Sequence, residues 1–462
     1  MSRKHTSNAT EHFNKLIQFR QAAYEQLGNA RDALFELTDA VIQQRHIQSF
    51  AELSCAPAFR RRWPSVYEAL QDGQPDRNGL LRLYMQQVPG TERLLLAGDH
   101  TAWERLWANT LSGRSYQHQP TPIPGRRPIT IGHGYSTIAI IPEPHGSWAL
   151  PLLHERITNQ KPIEKAGQQL RRVCQRLAVR PLSLWDSEYG CAAFLKGTAD
   201  IPVDKLIRLR TNLCLEGPTK PYKGRGQYPK HGVKFNFKDP ATWWTPDEEI
   251  TANDPQFGPL IVRLWQGLRF KQALACPMFV AQIERLQAPG TRRKPKILWF
   301  AWVGEEPPTH WWSMYTRRYP IEHWYRFAKG RLHWTLPKLA TAEQADRWSD
   351  LMPLITWELW QARSWVHDCP LPWQRPQANP CPGRVCQSMQ NILVAIGTPA
   401  QVCKTRGKSP GWPKGRQRTQ RERHDLIRSE QWKRIRAAQK AKKACLKPPR
   451  SRPKRLPLPV TA

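Results

Sequence analysis

Two short apolar runs, each closing on an aspartate, constrain this chain more than any other feature. Arg93 to Gly98 (RLLLAG) leads into Asp99, and Pro181 to Trp185 (PLSLW) leads into Asp186. Runs this short, without helical periodicity, read as buried strands that deliver their last residue to a sheet edge. Two more strand-like runs lie between them, Pro128 to Gly132 and Tyr135 to Ile141, with His133-Gly134 placed as a hairpin turn would be. A helix follows, because Ile163, Ala166, Leu170, Val173 and Leu177 recur at helical spacing. The order is therefore strand, strand, strand, helix, strand. A lone aspartate after an apolar run is ordinarily a turn or cap residue, so neither carboxylate is informative alone.

A third carboxylate supplies the context. The stretch from Tyr315 to Lys329, YTRRYPIEHWYRFAK, carries the skeleton Y-x2-R-x3-E-x6-K in Tyr315, Arg318, Glu322 and Lys329. On an ideal helix these four positions fall within an arc of about 60°. Pro320 lacks an N–H and suits the first helical position, so the regular helix is predicted to begin there, with Glu322 in the first turn where the helix dipole favours its ionised form. The bland alternative is an amphipathic helix that buries Ile321, Trp324 and Ala328 and leaves its charges in water.

The four residues reproduce the YREK signature of the DDE transposases of bacterial insertion sequences, and GDHTAW around Asp99 and WDSEYG around Asp186 resemble the segments that carry the two aspartates of that class. The resemblance covers roughly residues 90 to 340. It implies an α/β fold class, a ribonuclease H-like mixed sheet with flanking helices, in which the first and fourth strands are neighbours and Asp99 lies beside Asp186. A mostly β insertion would interrupt the core, with helical regions at either end. Glu188, two residues beyond Asp186, competes for the second acidic position.

Charge and composition point the same way. A formal net charge of +34 and a pI near 10.2 make a polyanion the expected partner. No run of eighteen or more apolar residues is present, and the N-terminal MSRKHTSNATEHF lacks the apolar stretch of a signal peptide. A cytoplasmic, nucleoid-associated protein is expected. The cysteines are scattered; His367, Cys369, Cys381 and Cys386 do not have regular zinc-finger spacing, and free thiols in a Pro-rich connector are the preferred reading, with a structural zinc left open.

The expected organisation is a helical DNA-binding region over 1–88, a catalytic core over 89–210 and 296–345, a β-rich insertion over 211–295, a helical region over 346–402 and a disordered basic tail over 403–462. Arg60, Arg61 and Arg62, set between Phe59 and Trp63, are candidate phosphate contacts, as are Lys223, Arg225 and Lys230 in a Gly-rich basic turn.

Three converging carboxylates repel one another unless cations balance them, and two Mg²⁺ or Mn²⁺ ions suit carboxylate oxygen. Asp99, Asp186 and Glu322 are thus the expected catalytic and metal-ligating residues, with Asp99 bridging both ions. The resemblance implies that Tyr315, Arg318 and Lys329 hold DNA beside the scissile bond. It further implies a cut-and-paste transposase, acting on double-stranded DNA at the terminal inverted repeats of its own element and at target DNA, as a homodimer in a synaptic complex. A non-catalytic DNA-binding remnant and a nuclease without strand transfer are the competing functions.

Overall fold

The computed structural model describes residues 2–428 apart from 89, 91–92, 119–128, 220–223, 225–230, 255–257, 287–296, 306, 308–309, 404–413 and 418, together with 434 and 436–439. Twelve strands and ten α-helices are formed there. The strands are β1 (Leu95–Glu104), β2 (Ser115–His118), β3 (Ile129–Ile140), β4 (Leu150–Arg156), β5 (Leu182–Trp185), β6 (Asp204–Leu209), β7 (Cys214–Thr219), β8 (Gly232–Asn236), β9 (Glu248–Asp254), β10 (Gly258–Leu268), β11 (Met278–Arg285) and β12 (Leu298–Val303). The helices are α1 (Ser2–Glu25), α2 (Arg31–Gln43), α3 (Pro64–Asp72), α4 (Arg77–Gln86), α5 (Pro162–Cys174), α6 (Ala192–Gly197), α7 (Trp311–Thr316), α8 (Pro320–Gly330), α9 (Ala342–Ala362) and α10 (Pro382–Ile396).

Ten of the strands make one sheet in the order β2-β3-β1-β5-β6-β12-β11-β10-β9, with β4 also paired to β3. Its heart is β4-β3-β1-β5-β6: β3 runs antiparallel to both β1 and β4, and β1, β5 and β6 run parallel. This is the ribonuclease H-like order, with the first and fourth core strands side by side. The two short apolar runs become the start of β1 and the whole of β5 because both faces are covered there, so Leu95, Leu96, Leu182 and Leu184 are all buried. β12, equally apolar, joins the far edge antiparallel to β6, and β11, β10 and β9 extend the sheet from it. β7 and β8 form a separate pair.

Three expectations change. The supposed hairpin at His133-Gly134 is a continuous strand, β3, and the third core strand is β4, which the sequence reading passed over. Gly132 serves close packing rather than a turn: a Cβ there would run into the Trp103 carbonyl of β1. Asp99 does not end its strand either. β1 continues to Glu104 against β3, whereas its observed pairing with β5 reaches only Ala97↔Leu184, so Asp99 stands where the parallel neighbour gives out. Part of the basic tail, expected to lack fixed structure, is held by backbone hydrogen bonds: His424 N–H donates to the Asn109 carbonyl (3.0 Å) and Ile427 N–H to that of Arg114 (2.8 Å).

The helices of the two ends pack together. α9 is buried nearly all round from Trp348 to Trp360, and its two carboxylates there, Asp350 and Glu358, are paired with Arg77 and Arg20. It lies on β4, where the Trp357 indole donates to the Pro151 carbonyl at 2.8 Å, and Tyr84 of α4 stacks on Trp357. Arg20 of α1 joins Asp39 of α2 to Glu358 of α9 in the interior. Among the described residues no helix is long and apolar enough to cross a membrane.

Candidate active site

The site begins with a missing side chain. A Cβ on Gly98 would lie 2.7 Å from Cε3 of Trp185 and closer still to Cζ3 and Cη2, so only glycine lets the Trp185 ring lie across β1. That indole is fully buried between Tyr189 and Phe194, and its N–H donates to the Ser183 hydroxyl at 2.9 Å. β1 and β5 are thereby locked at Leu95↔Leu182, Leu96↔Ser183 and Ala97↔Leu184. Asp99 and Asp186 each stand two residues beyond the last of these pairs, so the two carboxylates leave neighbouring strands on the same side of the sheet end.

The Asp99 carboxyl is only 16% exposed. Burial pushes its pKa up, the Arg318 guanidinium pulls it down, and the charge on Asp186 raises it again, so the two aspartates share one electrostatic environment. The backbone N–H of His100 donates to Asp99 Oδ1 at 2.8 Å. Asp186 opens the turn after β5, its Oδ1 accepting the Glu188 N–H at 2.9 Å.

α8 brings the third carboxylate. Its first residue is Pro320, and Glu322 stands in its first turn. Arg318 lies between the acids: Nη1 donates to Asp99 Oδ2 at 3.1 Å and Nη2 to Glu322 Oε1. The guanidinium side chain is 7% exposed. Burial disfavours its charge, yet Asp99 and Glu322 more than offset that, so it stays a cation. Lys329, two turns beyond Glu322, donates from Nζ to the Thr101 hydroxyl at 2.7 Å; burial lowers its pKa to about 8, against the pull of Asp99. Thr101 shares a face of β1 with Asp99 by strand alternation.

The Tyr315, Arg318, Glu322 and Lys329 skeleton therefore does face the aspartates, but two members are not free for DNA. Tyr315 is buried against Phe300, and Arg318 is committed to the carboxylates. Arg60 and Arg61 are likewise engaged, both on the fully buried Glu36 and on main-chain carbonyls at Ala400 and Gln401. Arg62 is exposed. Lys223, Arg225 and Lys230 lie outside the described residues.

Sequence reasoning missed His100. Its Nδ1 is hydrogen-bonded to the Tyr189 hydroxyl (3.0 Å), and its Nε2 is 3.6 Å from Glu188 Oε2. Strand alternation sends His100 off β1 on the opposite side from Asp99, so this contact draws Glu188 away from Arg318 and Glu322. The only local signal was its place next to Asp99.

By donor chemistry Asp99, Asp186 and Glu322 suit a hard divalent cation, which takes carboxylate oxygen. Among the described residues, however, no three His, Cys, Asp or Glu side chains lie close enough to hold an ion together. Arg318 supplies the positive charge at this point instead. Of the cysteines considered for zinc, Cys386 is buried with its thiol on the Ile42 carbonyl, Cys381 caps α10, and Cys369 is exposed.

The sequence profile of the DDE superfamily endonucleases matches residues 23–263, more than half of the 462-residue chain. The chain belongs to this family. The matched span of this DDE-family protein includes Asp99 and Asp186 and ends before Glu322, which only the fold brings to the site. No curated protein matches the chain. Among solved structures it is similar to a piggyBac transposase in a synaptic complex with hairpin DNA, at 10% identity and a TM-score of 0.38, over 84% of this chain and 77% of that one.

Proposed function

We propose that this DDE-family chain is a DNA transposase that cuts a DNA strand and joins the resulting 3′-hydroxyl end to a second site, with Asp99, Asp186 and Glu322 as its acidic residues. The observation that supports the reading is that Asp99 and Asp186 each lie two residues past the last β1–β5 pair, near enough for the charge of Asp186 to act on Asp99, and that a glutamate from a distant helix is tied to Asp99 through one arginine. A surface carboxylate cluster has no structural need of such an arrangement.

Asp99, Asp186 and Glu322 would hold Mg²⁺ or Mn²⁺, and two such ions supply activation of the attacking oxygen and stabilisation of the leaving one. The chain's own residues do the positioning. Gly98 and Trp185 fix the spacing of the aspartates. Arg318, paired with both Asp99 and Glu322, holds those two carboxylates at a common point. Lys329, anchored on Thr101, places a cation beside Asp99, where a phosphate oxygen would otherwise meet only negative charge. The net charge of +34 concentrates DNA at the site. The substrate we infer is double-stranded DNA carrying the terminal inverted repeats of the element that encodes the protein, with target DNA as the acceptor and a homodimer as the working assembly.

The test is a cleavage and joining assay with Mg²⁺, a labelled terminal-repeat duplex and a target plasmid. Wild-type protein should nick the duplex and join its 3′ end, whereas Asp99→Asn, Asp186→Asn and Glu322→Gln should bind DNA and leave it intact. Undiminished cutting by Glu322→Gln would exclude the assignment; cutting without joining would make the protein a nuclease.

A further inference from the structure

The exposed side of α8 is not the side its signature residues occupy. On an ideal helix, Arg326, Tyr319 and His323 fall about 40, 60 and 100° to one side of Glu322, while Lys329 and the buried Tyr325 fall about 20 and 60° to the other. Accessibility follows this division: Tyr319 is 40% exposed, and His323 and Arg326 are exposed, whereas Tyr325 and Arg318 are buried. Glu322 sits on the border with a side chain 38% exposed. The side chains of His323 and Arg326 have no hydrogen-bond or ion-pair partner among the described residues. Arg318, by contrast, has both arms on carboxylates.

From this geometry we propose that Tyr319, His323 and Arg326 form the surface that holds the DNA backbone next to Glu322. The proposal rests on the reading of this protein as a DNA-processing enzyme and names the residues that receive the substrate. A duplex approaching Glu322 from solvent must cross this strip, since the other flank is closed by Lys329, Tyr325 and β1. Arg326 offers an unspent guanidinium to a phosphate, one helical turn beyond the glutamate. Tyr319 offers a ring that can lie against a sugar, and His323 a further donor. Opposite charge selects the occupant, because the chain as a whole is strongly cationic.

Binding of a fluorescent DNA duplex, followed by anisotropy with EDTA present and salt varied, tests this without any cleavage. Arg326→Ala should bind several-fold more weakly and lower the slope of log K against log salt by about one, the signature of one lost phosphate contact. Arg326→Lys, which keeps the charge, should restore the slope, and Tyr319→Ala should weaken binding without altering it. An Arg326→Ala slope equal to wild type would overturn the proposal, as would binding to duplex RNA but not to DNA. A wild-type protein that binds with the expected slope but never cuts would refute the proposed function and leave this surface standing.

Discussion

Gly98→Ala adds one methyl group at the point where the site is built. The new Cβ would stand 2.7 Å from Cε3 of Trp185 and nearer to two other ring atoms, so restoring ordinary contact requires the ring to retreat by roughly 1.5 Å. It has nowhere to go, because Tyr189 and Phe194 press on it with ring centroids 4.7 and 4.6 Å away. Overpacking of this kind costs about 1–3 kcal/mol, and loss of the Trp185 to Ser183 hydrogen bond adds about 1 kcal/mol. We expect about 3 kcal/mol in total, read as a fall of about 3 °C in melting temperature for a chain of 462 residues. Asp99 follows Gly98 and Asp186 follows Trp185, so the same displacement moves both aspartates. A shift of about 1 Å between reacting groups is worth ~100-fold in rate, and DNA cleavage should fall accordingly in protein that is still folded at assay temperature. Adding Trp185→Leu should return part of the lost stability, giving a coupling of about 1 kcal/mol or more between the two substitutions. A Gly98→Ala protein as stable as wild type, or two effects that simply add, would refute the close-approach argument.

Two further outcomes follow from the packing of the helical layer. The Asp350 carboxyl is pushed up to about 7 by burial, against the pull of its Arg77 partner. A carboxyl raised in the folded state binds its proton more tightly there than in the unfolded chain, so its contribution is complete below the unfolded value of about 3.9 and is lost as pH rises towards 7, at about 1.4 kcal/mol per unit. Asp350→Asn should therefore flatten the decline in urea stability between pH 4 and 7; an unchanged slope would contradict this. At the end of α8, Arg331 donates to the carbonyls of Val41, Ile42 and Gln44 at the end of α2. Arg331→Ala should cost about 2 kcal/mol and loosen the helix that carries Glu322, seen as faster hydrogen exchange in α8; exchange unchanged there would mean that the clamp does not support the site.

Much of this architecture was legible because it depends on local pattern. The uncharged run before Asp186 became β5, α5 keeps its helical period, and Pro320 marks the start of α8. Errors arose where one residue type serves two purposes. Gly132 and Gly134 looked like turn residues, yet a glycine inside a strand also marks close backbone approach, and the sequence does not say which strand comes near. β4 was missed because Pro151 interrupts its apolar run, and strand pairing with β3 accommodates that proline beside a bulge. At the site, helical spacing correctly gathered Arg318, Glu322 and Lys329 on one side. It could not reveal that Asp99 would take up one arm of Arg318, because that contact spans 219 residues of sequence. Tyr315 was misjudged for the same reason: Phe300, which buries it, belongs to β12.

The central claim is that the folded chain gathers Asp99, Asp186 and Glu322 into one cation-binding point, and site-directed radical cleavage tests it most directly. Iron(II), bound in place of a hard divalent ion and treated with ascorbate and peroxide in the presence of DNA, releases hydroxyl radicals that break the nearest backbone. The account predicts breaks beside Asp99 in β1, beside Asp186 after β5 and beside Glu322 in α8, all suppressed by excess Mg²⁺ and absent from Asp99→Asn. Breaks confined to other regions, or unaffected by Mg²⁺ and by Asp99→Asn, would contradict it.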